Sequence, residues 1–416
     1  GVSQTIGDLT SASVNTEVRI LGGLTVTQTN EGTFAGITTG AGTFTKAGAE
    51  LLILSNDNIH NGNTIISAGT LRVTGTLSDI TNVIVNGGTY DVEADDTVRS
   101  ISGSGGTIDI ASGVTLTNSA TNDKTYAGAL AGSGTLSNTG VSTLTLTGTN
   151  TISNIALATA NGRLEVSSTG TLSTSTTVSL AANTVYYAKN ADTIAGVTGS
   201  GILDIAPGIT LSVGNSSSAV TFAGTVRTSQ VITDGVVTTA FGSLTKVGSE
   251  SLTVSGAISR LTALTISEGA FILGGNNIIE NFTPVVLEDV AGAVLNLNDY
   301  SDTIGNLSSD SNDNGGNVTL GSGTLTLNTR SNVTYAGVIS GDGAVVKEGF
   351  AAQTFTGSNS YTGGTTINAG QLTAGADNTL TTTGAVALSG TADFIIDSGV
   401  SQTIGDLTSA SVNTEV

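Results

Sequence analysis

Residues Gly1–Val18 read GVSQTIGDLTSASVNTEV, and residues Gly399–Val416 repeat them letter for letter at an offset of 398 residues. Identity over such a stretch marks a chain assembled by repetition, in which each unit buries its apolar face on its neighbours. A shorter period lies inside the long one. The motif Thr-Ile/Val-x-x-Leu/Ile/Val begins at Thr5, Thr97, Thr193, Thr303 and Thr403, in steps of 92, 96, 110 and 100 residues. An aromatic-Ala-Gly phrase keeps similar time, ending at Gly36, Gly128, Gly224 and Gly337. These landmarks set modules at residues 1–92, 93–188, 189–298 and 299–398, with 399–416 restarting the 398-residue repeat.

Each module is made of smaller units of the form Gly-Thr-Leu-x-Val. Gly69-Thr70-Leu71-Arg72-Val73, Gly88-Thr89-Tyr90-Asp91-Val92 and Gly106-Thr107-Ile108-Asp109-Ile110 begin 19 and 18 residues apart. Alternation within a unit points Leu71 and Val73 inward and Arg72 outward, as the pleat of a strand requires. A period of about 20 residues with internal alternation fits one coil of a parallel β-solenoid, whereas propeller blades need about 40 residues. No stretch carries helical periodicity. Only 2 prolines accompany 57 glycines, which suits stacked strands, since a missing N–H breaks a ladder. The expected fold is all-β: one continuous parallel β-solenoid over residues 1–416, right-handed, and an uncapped segment of a longer array. The open sheet edge at each end is a template for more strands.

Acidic residues outnumber basic ones 32 to 12, for a net charge of −20. Such a surface repels nucleic acid and anionic membrane, because phosphate binding needs clustered Lys and Arg. There is no cysteine, so disulfides and thiolate metal sites are excluded. No transmembrane run or lipidation motif is present, and no direct membrane insertion is expected of this segment.

Little in the chain suggests chemistry. The lone histidine, His60, falls in a polar stretch, Asn58-Ile59-His60-Asn61-Gly62, and reads as a solvated turn residue; no Cys or second His can join it in a metal site or catalytic pair. The paired acids Asp95-Asp96 and Glu288-Asp289 would point to opposite faces of a strand. The seven Arg and five Lys are spread thinly, which argues against an enzyme that needs a base beside a carboxylate cluster. Thr-rich runs such as Thr143–Thr147 could present a hydroxyl face, although Thr is simply favoured in strands. The one cofactor candidate is Ca²⁺. Asp310, Asn312 and Asn314, followed by Gly315, match the opening of a calcium loop, but the twelfth position is Gly321, where a bidentate Glu is needed. An Asn- and Asp-rich insertion at a solenoid corner explains the same residues and would account for the module step of 110.

Three phrases carry a family resemblance: Lys-x-Gly, then Gly-x-Asn-x-Tyr-x-Gly-Gly-Thr-Thr-Ile, then Ala-Gly-x-Leu. The fullest copy runs from Lys347 to Leu372 and a second from Lys46 to Leu71, with His60 in the stretch that replaces the Tyr-x-Gly-Gly-Thr phrase. A shorter copy holds Lys246-Val247-Gly248 with Glu268-Gly269, and in another, from Leu136 to Thr151, Asn138 stands for the Lys. These phrases resemble the passenger-associated (autotransporter β-strand) repeat of bacterial autotransporter passenger domains. The resemblance implies a solenoid exported to the cell surface, in a class that holds adhesins, structural stalks and a few enzymes. The reading that follows is a non-enzymatic structural component of an extracellular bacterial fibre, stalk or surface filament, with copies of itself as partners end to end and laterally. The alternative is an autotransporter-type adhesin passenger.

Overall fold

The computed structural model describes residues 2–229, 232–233, 236–237, 240–290, 292–310 and 315–410. Every helix-or-strand element among them is a strand, and none is a helix that could cross a membrane. The strands pair in parallel from coil to coil; the exception is the short antiparallel pair Ile232–Thr233 with Val236–Val237. The fold is a parallel β-solenoid. The chain divides into two compact units, Gly1–Ala195 and Gly196–Val416.

In the first unit the Gly-Thr-Leu-x-Val phrases stack in register. Leu71 lies beside Tyr90 and Tyr90 beside Ile108, while Arg72, Asp91 and Asp109 line up outside. One six-stranded sheet runs through Gln4–Ile6, Gly23–Thr27, Thr43–Ala47, Thr64–Ile66, Asn82–Val85 and Ser100–Ser102; another runs from Gly32–Phe34 to Ala129–Ala131. The alternation is plain in the strand Thr70–Val73, whose Leu71 and Val73 are fully buried. Columns of such residues form the core, each coil covering the apolar face of the next.

The second unit repeats the scheme. One of its sheets runs through Asp302–Ile304, Thr324–Asn328, Ala344–Glu348, Thr365–Ile367, Val386–Leu388 and Leu407–Ser409. Another climbs from Val333–Tyr335 through Ala352–Phe355 and Gln371–Ala374 to Asp393–Ile396.

The module motif has a structural meaning. At Thr97 the chain changes sheet: Asp96–Val98 opens a new ladder by pairing forward with Leu116–Asn118, and Ser100–Ser102 closes the old one by pairing back on Asn82–Ile84. At Thr303 the same happens, with Asp302–Ile304 pairing forward to Leu325–Leu327 and Leu307–Ser309 back to Val285–Leu287. At Thr97 and Thr303 the Thr-Ile/Val arm thus begins a ladder and the second arm ends one.

The aromatic-Ala-Gly phrase has an equally local cause. Phe34, Tyr126, Phe222 and Tyr335 are all buried. A Cβ on Gly36, Gly128, Gly224 or Gly337 would come closer than 3.0 Å to the ring two residues before it. The ring folds back over its own backbone, and only glycine leaves it room.

One expectation is corrected here. The excess in the 110-residue step does not lie in the Asn- and Asp-rich stretch; the ladder steps from Thr210 to Ser243, a coil of 33 residues, against 23 between Asp302 and Leu325.

Candidate functional site

Three lysines occupy an unexpected place. Lys46 stands in an inward column between Val26 and Ile66, Lys246 between Val213 and Ile266, and Lys347 between Leu327 and Ile367. All three side chains are fully buried. Each ammonium is held by three carbonyls. The Lys347 Nζ donates to the oxygens of Glu348 at 2.7 Å, Gly349 at 3.0 Å and Ala369 at 3.1 Å. Lys46 donates likewise to Ala47, Gly48 and Ala68, and Lys246 to Val247, Gly248 and Glu268.

An ammonium has three N–H donors and no acceptor, so three carbonyls satisfy it fully. The glycine two residues on, with φ of 75°, 74° and 76° at Gly48, Gly248 and Gly349, curls the chain so that its oxygen faces the lysine. Burial presses Lys246 and Lys347 down to about 8, and Lys46 is lowered for the same reason. The Lys-x-Gly phrase is therefore a corner that ties one coil to the next. In the degenerate copy Asn138 takes the lysine's place, is buried, and accepts a hydrogen bond from Asn118 Nδ2 at 2.7 Å.

His60 is not a solvated turn residue. It is fully buried, because its turn stacks between the coils on either side. Thr38 Oγ1 donates to Asn58 Oδ1 at 2.9 Å, so the network assigns the His60 proton to Nδ1, which donates to Thr38 Oγ1 at 2.7 Å, while Nε2 accepts from Thr64 Oγ1 at 2.8 Å. Burial lowers its pKa to about 4. The matching residue of the other full copy is Tyr361, bonded to Thr365 Oγ1 at 2.6 Å.

Carboxylates are buried at the module motif. Asp96 accepts from the backbone N–H of Leu77 at 3.2 Å and from the Tyr90 hydroxyl at 3.2 Å. Asp302 accepts from the N–H of Ile278 at 2.7 Å and of Ile279 at 3.2 Å, and its Oδ1 has no partner. Burial raises Asp96 to about 7 and Asp302 to about 6. Asp192, which accepts from Leu172 N, is raised for the same reason. At the corresponding place where the repeat restarts stands Gln402, whose Oε1 accepts from Leu380 N at 3.2 Å. Each of these side chains clamps the coil behind it.

The pair Asp95-Asp96 divides as a strand demands, Asp95 exposed and Asp96 buried. The two lie beside Asp79 in an open hollow lined by Thr76, Thr97, Thr115 and Thr117. Among the described residues no three His, Asp or Glu come together in a way that could hold a metal ion. Of the calcium candidates, Asn312 and Asn314 lie outside the described residues; Asp310 is within them, and its Oδ1 accepts from the Asp289 N–H at 2.7 Å.

The buried lysines, His60 and the buried carboxylates each tie one coil to another, and sequence reasoning missed the lysines and His60 because charged and polar residues read as surface. Recurrence was the usable signal: Lys-x-Gly followed by a Gly 23 residues after the Lys occurs at Lys46, Lys246 and Lys347.

The comparisons agree with this geometry. The model of the passenger-associated-transport-repeat family matches residues 44–73 and 345–374, which hold two of the three lysine corners and both His60 and Tyr361. A curated relative, the adhesin BmaC autotransporter of Brucella suis biovar 1 (strain 1330), is 36% identical over 171 residues, covering 40% of this chain. The chain spans 5% of that relative's length. No solved structure matches. The chain is a β-solenoid that carries passenger-associated-transport repeats.

Proposed function

We propose that the chain is a segment of the rod of an autotransporter-type adhesin passenger, displayed outside a bacterial cell. The observation that carries this reading is the coincidence of two passenger-associated-transport repeats with 36% identity to an autotransporter adhesin. The physics of the fold supports it. Parallel ladders and caged lysines resist extension along the coil axis, and a net charge of −20 keeps a long, otherwise apolar-cored rod soluble. The role assigned is mechanical: the solenoid holds a binding region away from the membrane. Antibodies raised against residues 1–416 test it on intact cells of the source organism. Surface labelling that external protease removes, together with reduced adherence in a strain lacking the gene, is the expected result. Labelling that appears only after cell lysis overturns the reading.

A second reading, a fibre of tandem repeats, is favoured by one observation, the letter-for-letter recurrence of Gly1–Val18 as Gly399–Val416. Filaments on the native cell surface built from one very long chain would favour it over a single passenger rod.

A further inference from the structure

The duplicated segment is seen twice, and its two copies are half-paired on opposite sides. In the first copy Gln4–Ile6 pairs forward with Leu24–Val26, and Ser11 bridges forward to Phe34. Asp8 also reaches forward: its carboxylate accepts from Thr29 N at 2.6 Å and Asn30 Nδ2 at 2.6 Å, which hold its pKa down at about 2. Among the described residues of the second copy, 399–410, the coil partners precede it. Leu407–Ser409 pairs back on Val386–Leu388. Gln402 clamps backward through Oε1 to Leu380 N and through Nε2 to the Ala376 oxygen at 2.5 Å.

The internal module boundaries show both halves at once. Asp96–Val98 pairs forward while Ser100–Ser102 pairs back, and Asp302–Ile304 pairs forward while Leu307–Ser309 pairs back. The clamps are doubled there too. Asp95 Oδ1 accepts forward from Thr115 N at 2.7 Å while Asp96 clamps Leu77 behind it, and Ser301 Oγ accepts from Thr324 N while Asp302 clamps Ile278. Exposure changes with side. Leu9 is 8% exposed under the coil that follows it, whereas its twin Leu407, with no coil beyond, is 45% exposed.

We infer that the 18-residue segment is a junction coil through which successive copies of the 398-residue repeat stack without a break in the ladders. The partner at each free edge is another copy of the same repeat. In the joined state one segment makes both sets of contacts. Its Gln-Thr-Ile arm opens the ladder of the next copy on Leu24–Val26, and its Leu-Thr-Ser arm closes the ladder of the last on Val386–Leu388. Its Gln side chain clamps Leu380 behind and its Asp clamps Thr29 and Asn30 ahead. The inference stands on pairing alone and holds whether or not the rod carries an adhesin.

Amide hydrogen exchange tests it on the 416-residue chain beside a chain one repeat longer, residues 1–398 followed by residues 1–416. In the shorter chain the backward-facing edge of residues 4–11 and the forward-facing edge of residues 402–409 are open, and both segments exchange fast. In the longer chain the shared central segment is expected to exchange at least about tenfold more slowly than either free end, matching residues 96–102 and 302–309. Leu9→Asp in the second copy is expected to restore fast exchange at the junction while both repeats stay protected elsewhere. Central amides that exchange as fast as the free ends, with the two repeats otherwise protected, would overturn the inference. So would two repeats that melt in separate, independent transitions.

Discussion

His60 and Tyr361 hold the same place in two copies of the repeat, both buried and both hydrogen-bonded to the threonine four residues on. An imidazole and a phenol can serve alike there because each is a flat ring that reaches this threonine with a polar atom; the imidazole's other nitrogen bonds Thr38. They differ in their response to acid.

His60 has a folded pKa of about 4, lowered by burial, against about 6.5 in an unfolded chain. The folded state therefore binds fewer protons between those values. Its contribution is fully present above pH 6.5 and is lost as pH falls toward 4, to an extent of about 3 kcal/mol. His60→Tyr is expected to remove this acid-sensitive component. Denaturant titrations of both proteins at pH 7 and pH 4.5 check it, read as the difference in slope with pH.

The buried carboxylates work the other way. Asp302 has its pKa raised to about 6 by burial, so the folded state holds the proton more tightly than the unfolded one. Its favourable contribution is present below about pH 4 and lost as pH rises through 6. Asp302→Asn is expected to raise stability at pH 8 relative to the parent, by up to about 3 kcal/mol, and to change little at pH 3. The chain makes a similar exchange itself, with Gln402 at the matching position.

The lysine corners predict an asymmetry between substitutions. Lys347→Met keeps the stem in its apolar column but strands the carbonyls of Glu348, Gly349 and Ala369, for an expected loss of about 3 kcal/mol or more. Lys347→Arg retains the charge, but a planar fork of five donors does not fit three convergent oxygens; it is expected to destabilise as well. Thermal midpoints of the two variants, with hydrogen exchange over residues 365–374, provide the measurement.

Glycines separate by surroundings. Gly337→Ala drives a Cβ into the Tyr335 ring and the Gly316 carbonyl, with an expected cost of about 2–4 kcal/mol. Gly399→Ala, at φ 83° with open space around it, costs only the backbone strain, about 1 kcal/mol. Comparing the two in one denaturation series checks the assignment.

Much of this architecture was legible in the residues. The spacing of Gly69, Gly88 and Gly106 placed Leu71, Tyr90 and Ile108 in one column, and the structure pairs them so. What was not legible depends on neighbouring coils. His60 is buried because residues 38 and 64 sit on either side of it, and a turn's sequence does not say what stacks above and below. Lys347 reads as a surface residue until the carbonyl of Ala369, a coil away, is in view. The meaning of the Thr97 and Thr303 motifs, a change of sheet, appears only once forward and backward pairings are separated.

The coil-to-coil register is the central claim, and the absence of cysteine allows a clean test by cross-linking. Thr25 and Thr45 are register partners, as are Thr326 and Val346, and adjacent parallel strands lie about 4.8 Å apart, within reach of a disulfide. The double variants Thr25→Cys/Thr45→Cys and Thr326→Cys/Val346→Cys are expected to form intramolecular disulfides on mild oxidation. Thr25→Cys/Thr43→Cys, displaced by two residues, is expected to stay reduced. Efficient cross-linking of the displaced pair, or none in the register pairs, would contradict the stacked solenoid.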